Sequence, residues 1–322
     1  MTEHRKIPLP DDEASLFERA SGMFGLDPFR AAPVPAQLVQ PARLRARPAP
    51  VPVEAANVPT VERTVPTPAP TVPTAETAVS FGRECHAIDR ERLHERGMIV
   101  PEAGATALLE EFRIIKRQLI AAAQSAGDAL ARRVLVCSPL PGDGKTFCAT
   151  NLAIAMAGER DGEVLLVDAD FAKPSILSTL GLPKGPGLMD ALADPSLKIE
   201  DLVMATDIPG LFVLPAGNAT TADSEWLAST RTAELLDRLT RGAPGRMVVF
   251  DSPPALAASP AADLARHVGQ AVLVARADKT GRNALEDAVQ LLGACPDIKL
   301  LLNATHFSPS GRRFGTYYGY EG

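Results

Sequence analysis

Apolar positions change their spacing along this chain. From Ala105 to about Ser125 they recur at helical intervals: Leu108, Phe112, Ile115, Leu119 and Ala122 form a stripe, with Glu110, Arg113, Lys116 and Arg117 lying off it. Beyond that point the apolar residues gather into short unbroken runs, at 132–138, 163–167, 211–215, 246–250, 271–275 and 298–302. Runs without polar alternation predict strands covered on both faces. Helical stretches fall between most of them, notably 146–157, 231–240 and 283–293. Strands alternating with helices predict an α/β fold, a doubly wound and mostly parallel sheet with ligands at the carboxyl ends of its strands.

The first third of the chain has a different pattern. Prolines recur every few residues between Pro28 and Pro73, mixed with Ala, Val and Thr and without a sustained period. Such a composition buries too little apolar surface to offset its ordering entropy. We therefore expect a disordered Pro/Ala-rich region over 1–98, a single globular domain over 99–310, and a flexible tail over 311–322. Within the first region, residues 13–24 place Leu16, Phe17, Ala20, Met23 and Phe24 at helical spacing, a candidate docking helix. The formal charge of −6 offers no basic excess for nucleic acid. Four scattered cysteines fit a reduced, cytoplasmic protein. Without a signal peptide or an apolar run long enough to cross a bilayer, any work at a membrane is expected to depend on a partner.

The densest chemistry lies at 138–146, SPLPGDGKT, between a predicted strand and a predicted helix. Gly142 and Gly144 let the backbone curl with N–H groups pointing inward, and the helix adds its positive end. Pro141, Gly142, Asp143, Gly144, Lys145, Thr146 and Phe147 are the expected nucleotide contacts. Lys145 is placed to reach the terminal phosphates and Thr146 to ligate Mg²⁺. Pro139 stands where the strict phosphate-loop pattern has its first glycine, so the Walker A motif is a deviant one. Two later strands end in acids, VLLVDAD with Asp168 and Asp170, and VVFDSPP with Asp251. A phosphoryl-transfer site needs a carboxylate to hold the metal, and a second group to orient the nucleophile. Every tyrosine in the chain lies in the last six residues, Tyr317, Tyr318 and Tyr320, among glycines.

This set resembles the bacterial tyrosine kinases of exopolysaccharide and capsule export, with the exosortase-associated autokinases the nearest in look. The resemblance rests on the PGDGKT loop, the strand ending in Asp-x-Asp, the strand ending in AspSerProPro and the terminal tyrosine cluster, and it covers roughly residues 100–322. It implies an ATP- and Mg²⁺-dependent autokinase that phosphorylates Tyr317, Tyr318 and Tyr320 in trans. Asp170 and Asp251 would hold the metal with Thr146, Asp168 would be the candidate base, and Asn303 would contact the nucleotide base. The stretch EEFRIIK resembles the family's oligomerisation helix, which implies a ring built through Glu110, Arg113 and Lys116. The family further implies a membrane chain-length or co-polymerase protein as activator, and a place at the inner face of the plasma membrane. Two departures stand out: Ala172 replaces a usual basic residue, and Lys116 a usual arginine. The partitioning and cell-division ATPases share the fold but carry a lysine where Leu140 stands here. A nucleotide-dependent scaffold without kinase activity is the other alternative.

Overall fold

In the computed structural model the described residues are 78–305, apart from residue 83 and residues 219–222. They form one sheet of eight strands with helices on both faces. The strands are β1 (Cys85–His86), β2 (Arg133–Cys137), β3 (Glu163–Asp168), β4 (Met204–Thr206), β5 (Leu211–Leu214), β6 (Arg246–Asp251), β7 (Gln270–Arg276) and β8 (Ile298–Asn303). The helices are α1 (Arg90–Glu95), α2 (Ala107–Ala126), α3 (Lys145–Ala157), α4 (Ile176–Leu180), α5 (Leu188–Ala193), α6 (Asp223–Leu227), α7 (Thr230–Thr240), α8 (Pro260–Leu264) and α9 (Arg282–Leu291).

The spatial strand order is β1-β4-β5-β3-β6-β2-β7-β8, and every pair is parallel except β4 with β5. The unbroken apolar runs explain this placement. Successive strand residues point to opposite faces, so Leu135, Leu165, Val248 and Leu273 feed one core. Their neighbours Val134, Val164, Val249 and Val272 feed the other. Thr106 caps α2 by accepting the Leu109 N–H at 3.2 Å, and Gly127 ends it with φ +72°. Its stripe residues Phe112 and Leu119 pack into the core that also takes α3.

Two expectations change. The domain begins earlier than residue 99: β1 pairs with β4, Leu93 of α1 is fully buried, and the Asp89 N–H donates to the Leu180 carbonyl at 2.9 Å. A run as charged as 89–96 hides that helix, because single apolar anchors (Ile88 and Leu93) fix it while Arg90 bridges Glu102 and Asp207, each at 2.7 Å. The 298–302 run is not covered on both faces. It forms the edge strand β8, with Leu300 62% and Leu302 55% exposed. The short strands β1 and β4 were too brief to show a period. The N-terminal segment 13–24 and the tyrosine tail lie outside the described residues, and among the described residues no helix is long and apolar enough to cross a membrane.

Candidate active site

Strand β2 lies between β6 and β7, so the loop that follows it sits at the carboxyl ends of the central strands. Gly142 and Gly144 take φ of +84° and +99°, a region open to glycine at little cost. The first half of the loop is tied to itself. Ser138 Oγ donates to the Leu140 carbonyl at 2.8 Å, and the buried Asp143 carboxylate accepts the Leu140 N–H at 3.1 Å. The AspSerProPro turn supports it from below, as the N–H groups of Ala255 and Leu256 donate to the carbonyls of Ser138 and Pro139 at 2.7 and 3.2 Å. Helix α3 then starts from Gly144, which has no side chain to cap it, so its first amides remain open for an anion.

Three carboxylates lie at the carboxyl ends of β3 and β6, and each is compensated differently. Asp170 is only 5% exposed and ion-pairs with Lys145 at 2.8 Å. Asp168 is 1% exposed; one oxygen accepts the Ser175 and Ile176 N–H groups at 2.8 and 2.9 Å, and the other accepts the Asp170 N–H at 3.3 Å. Burial pushes its pKa up to about 6 against those amides. Asp251 pairs in register with Asp168 across β3 and β6 and accepts the Thr146 hydroxyl at 2.6 Å. Its second oxygen, Oδ1, is buried and has no partner. Burial pushes the Asp251 pKa up to about 7, with Lys145 opposing.

That orphaned oxygen, beside the Thr146 hydroxyl, fits Mg²⁺. A buried polar atom without a partner is rare, and a hard cation binds through oxygen ligands. Magnesium usually takes one or two carboxylates together with phosphate oxygens. Among the described residues no group of three or more His, Cys, Asp or Glu side chains is arranged as a cage of its own.

Several expected site residues do something else. Asp168 accepts backbone amides on both oxygens and holds the turn into α4. Phe147 turns away from the loop and meets Phe112 edge-to-face, ring centres 6.4 Å apart. Pro141 is exposed at the loop's tip. Asn303 donates from Nδ2 to the Asp143 carbonyl at 2.9 Å, so its amide is engaged by the loop. Lys116 is buried; it donates to the Ala155 carbonyl at 2.7 Å and pairs with Glu159 at 2.6 Å. It therefore locks α2 to the end of α3 and is not free for a neighbouring subunit. Glu110 and Arg113 pair with each other one turn apart on α2. The sequence reading missed Arg276, whose Nη1 donates to the Gly142 carbonyl at 3.2 Å. A basic residue closing a strand at its carboxyl end was the available signal.

No family model matches the chain. The protein EpsB of Ralstonia solanacearum, which bears a tyrosine-protein kinase name, is 35% identical over 224 residues, 66% of this chain and 29% of EpsB. The chain thus spans under a third of that relative's length. The tyrosine-protein kinase YwqD of Bacillus subtilis (strain 168) is 31% identical over 215 residues, 66% of this chain and 86% of YwqD. Among solved structures, the chimerical protein CapA2B2 is similar with a TM-score of 0.53 and 26% identity, over 67% of this chain and 92% of that one. With the phosphate loop, its lysine and threonine and the strand-end aspartates in one cleft, and a likeness that runs through most of YwqD, this chain belongs to the family of bacterial tyrosine-protein kinases.

Proposed function

We propose that the chain is an ATP-dependent protein-tyrosine autokinase of exopolysaccharide biosynthesis, which transfers the γ-phosphate to Tyr317, Tyr318 and Tyr320 in the tail of a neighbouring copy. The observation that carries this reading is the orphaned Asp251 oxygen beside Thr146, at the mouth of a glycine loop with open amides. In this reading the amides of 142–146 and Lys145 bind the phosphates, while Thr146 and Asp251 hold Mg²⁺. The metal would supply charge neutralisation at the transferring phosphoryl group. Phosphoryl transfer asks the protein mainly for positioning and electrostatic stabilisation. Asp170 steadies Lys145 until phosphate competes for it. Each phosphotyrosine adds about −1.5 to −2 charge, so a modified tail becomes densely anionic.

Assembly into a homo-oligomeric ring, activation by a membrane co-polymerase protein and a peripheral place at the plasma membrane belong to the same proposal. Support for the partner comes from the chimera CapA2B2, whose B2 portion is joined to a second component in its name. The test is incubation of purified chain with labelled ATP and Mg²⁺, with and without a candidate activator, read by phosphotyrosine detection and mass spectrometry of the C-terminal peptide. Label on the three tyrosines, lost in Lys145→Met and in the triple Tyr→Phe variant, supports it. Undiminished phosphotyrosine in the triple variant contradicts it.

A further inference from the structure

Two peptide units of the phosphate loop are held from outside by the ends of β7 and β8. Arg276 and Asn303 are register partners on those strands, so their side chains leave the sheet edge side by side. Arg276 Nη1 takes the Gly142 carbonyl at 3.2 Å, and Asn303 Nδ2 takes the Asp143 carbonyl at 2.9 Å. The orientation of the Asn303 amide is fixed from its other end, since Oδ1 accepts the Ala304 N–H at 2.8 Å. The contact is close as well as polar: a Cβ built on Gly144 would lie 2.1 Å from Asn303 Nδ2.

No described peptide bond is cis. In a trans peptide the carbonyl of one residue and the N–H of the next point in opposite directions. Pulling the Gly142 carbonyl outward turns the Asp143 N–H inward, and pulling the Asp143 carbonyl outward does the same for the Gly144 N–H. These two peptide units lie between Gly142 and Gly144, both at positive φ, so each has one glycine end where the backbone has most freedom. Without an external hold, either amide can present its carbonyl to a phosphate instead of its N–H.

We infer that Asn303 and Arg276 are positioning residues for nucleotide binding, a clamp that sets the donor direction of the phosphate loop. This rests on the nucleotide-binding reading above and assigns Asn303 to the phosphates rather than to the base. The clamp also roots the chain that continues to the tyrosine tail, because Ala304 with φ +54° hangs from the same Asn303 side chain.

The test compares a ligand that has a base with one that has none. Calorimetry is run with magnesium and ADP, and separately with magnesium and inorganic pyrophosphate, on wild type, Asn303→Ala and Asn303→Leu. The leucine variant keeps bulk against Gly144 while losing both the donor to Asp143 and the acceptor for the Ala304 N–H, so it guards against a packing defect. We expect both variants to weaken both ligands by the same factor, about five- to tenfold for one lost hydrogen bond. Weaker ADP binding with unchanged pyrophosphate binding would place Asn303 on the base and overturn the clamp, as would unchanged affinity for both. Wild-type protein that binds neither ligand would overturn the nucleotide reading itself.

Discussion

Lys116 offers a sharp test of the structure against the family pattern. The oligomerisation motif puts a cation here at a surface between subunits, whereas the structure buries it to 7% exposure between α2 and the end of α3. Its ammonium donates to the Ala155 carbonyl in the last turn of α3 and pairs with the half-exposed Glu159. In Lys116→Ala the lost charged hydrogen bond to a buried carbonyl costs about 1.5–3 kcal/mol. The ion pair adds about 0–1 kcal/mol, since its acid is solvent-screened. The methylene stem adds about 2 kcal/mol of buried apolar surface. The sum is about 3.5–6 kcal/mol, which for a domain of this size lowers the melting temperature by roughly 7–24 °C. Lys116→Met keeps the stem and should lose about half as much. Urea unfolding by circular dichroism, at a concentration where sedimentation shows monomer, measures the loss. If Lys116→Ala instead abolishes self-association with an unchanged unfolding midpoint, the buried placement is wrong and the motif reading is right.

Three further expectations follow from the same geometry. Gly187→Ala places a Cβ 2.0 Å from the Pro215 carbonyl oxygen and 2.5 Å from the Gly217 nitrogen, both backbone atoms; a destabilisation of about 3 kcal/mol or more is expected in urea unfolding, and wild-type stability would refute the packing. Asp251 has a folded pKa raised to about 7 from 3.8. The folded state therefore holds this proton longer than the unfolded chain, and metal-free wild type in EDTA should lose stability as pH rises from about 4 through about 7. Asp251→Asn should lose less over that window, and equal pH slopes for the two proteins would show that Asp251 does not titrate there. Mixing a Lys145→Met chain that keeps its tyrosines with an active chain carrying the triple Tyr→Phe change should put phosphotyrosine on the Lys145→Met copy. Silence in that mixture, beside active wild type, would mean that each chain modifies only itself.

Most of the architecture was legible because buried parallel strands leave unbroken apolar runs, and β2, β3, β5, β6 and β7 fall on the segments read from sequence. The phosphate loop was legible because its glycines, lysine and threonine are contiguous. Three kinds of feature stayed hidden. A residue's solvent exposure depends on what packs beside it, so IKLLL reads the same in a central strand and in the edge strand β8. A charged helix such as α1 is fixed by one buried leucine and by ion pairs to distant residues, neither of which has a period. The roles of Asp168, Lys116 and Asn303 depend on which partner each polar group meets, and those partners lie 7, 39 and 160 residues away.

The three carboxylates of the cleft share a constraint that no single motif expresses. Buried acids this close cannot all ionise against one lysine. The structure divides the burden: Asp168 faces backbone amides, Asp170 faces Lys145, and Asp251 faces a neutral threonine hydroxyl. Only the last arrangement leaves a buried oxygen without a partner. A cation entering the site is thus directed to Asp251, the one carboxylate of the three with an oxygen that no hydrogen bond engages. A triphosphate entering alone would add its own negative charge to this set and draw Lys145 away from Asp170, leaving two uncompensated acids. Phosphate and metal therefore stabilise each other in this cleft, and the resting site favours taking them up together.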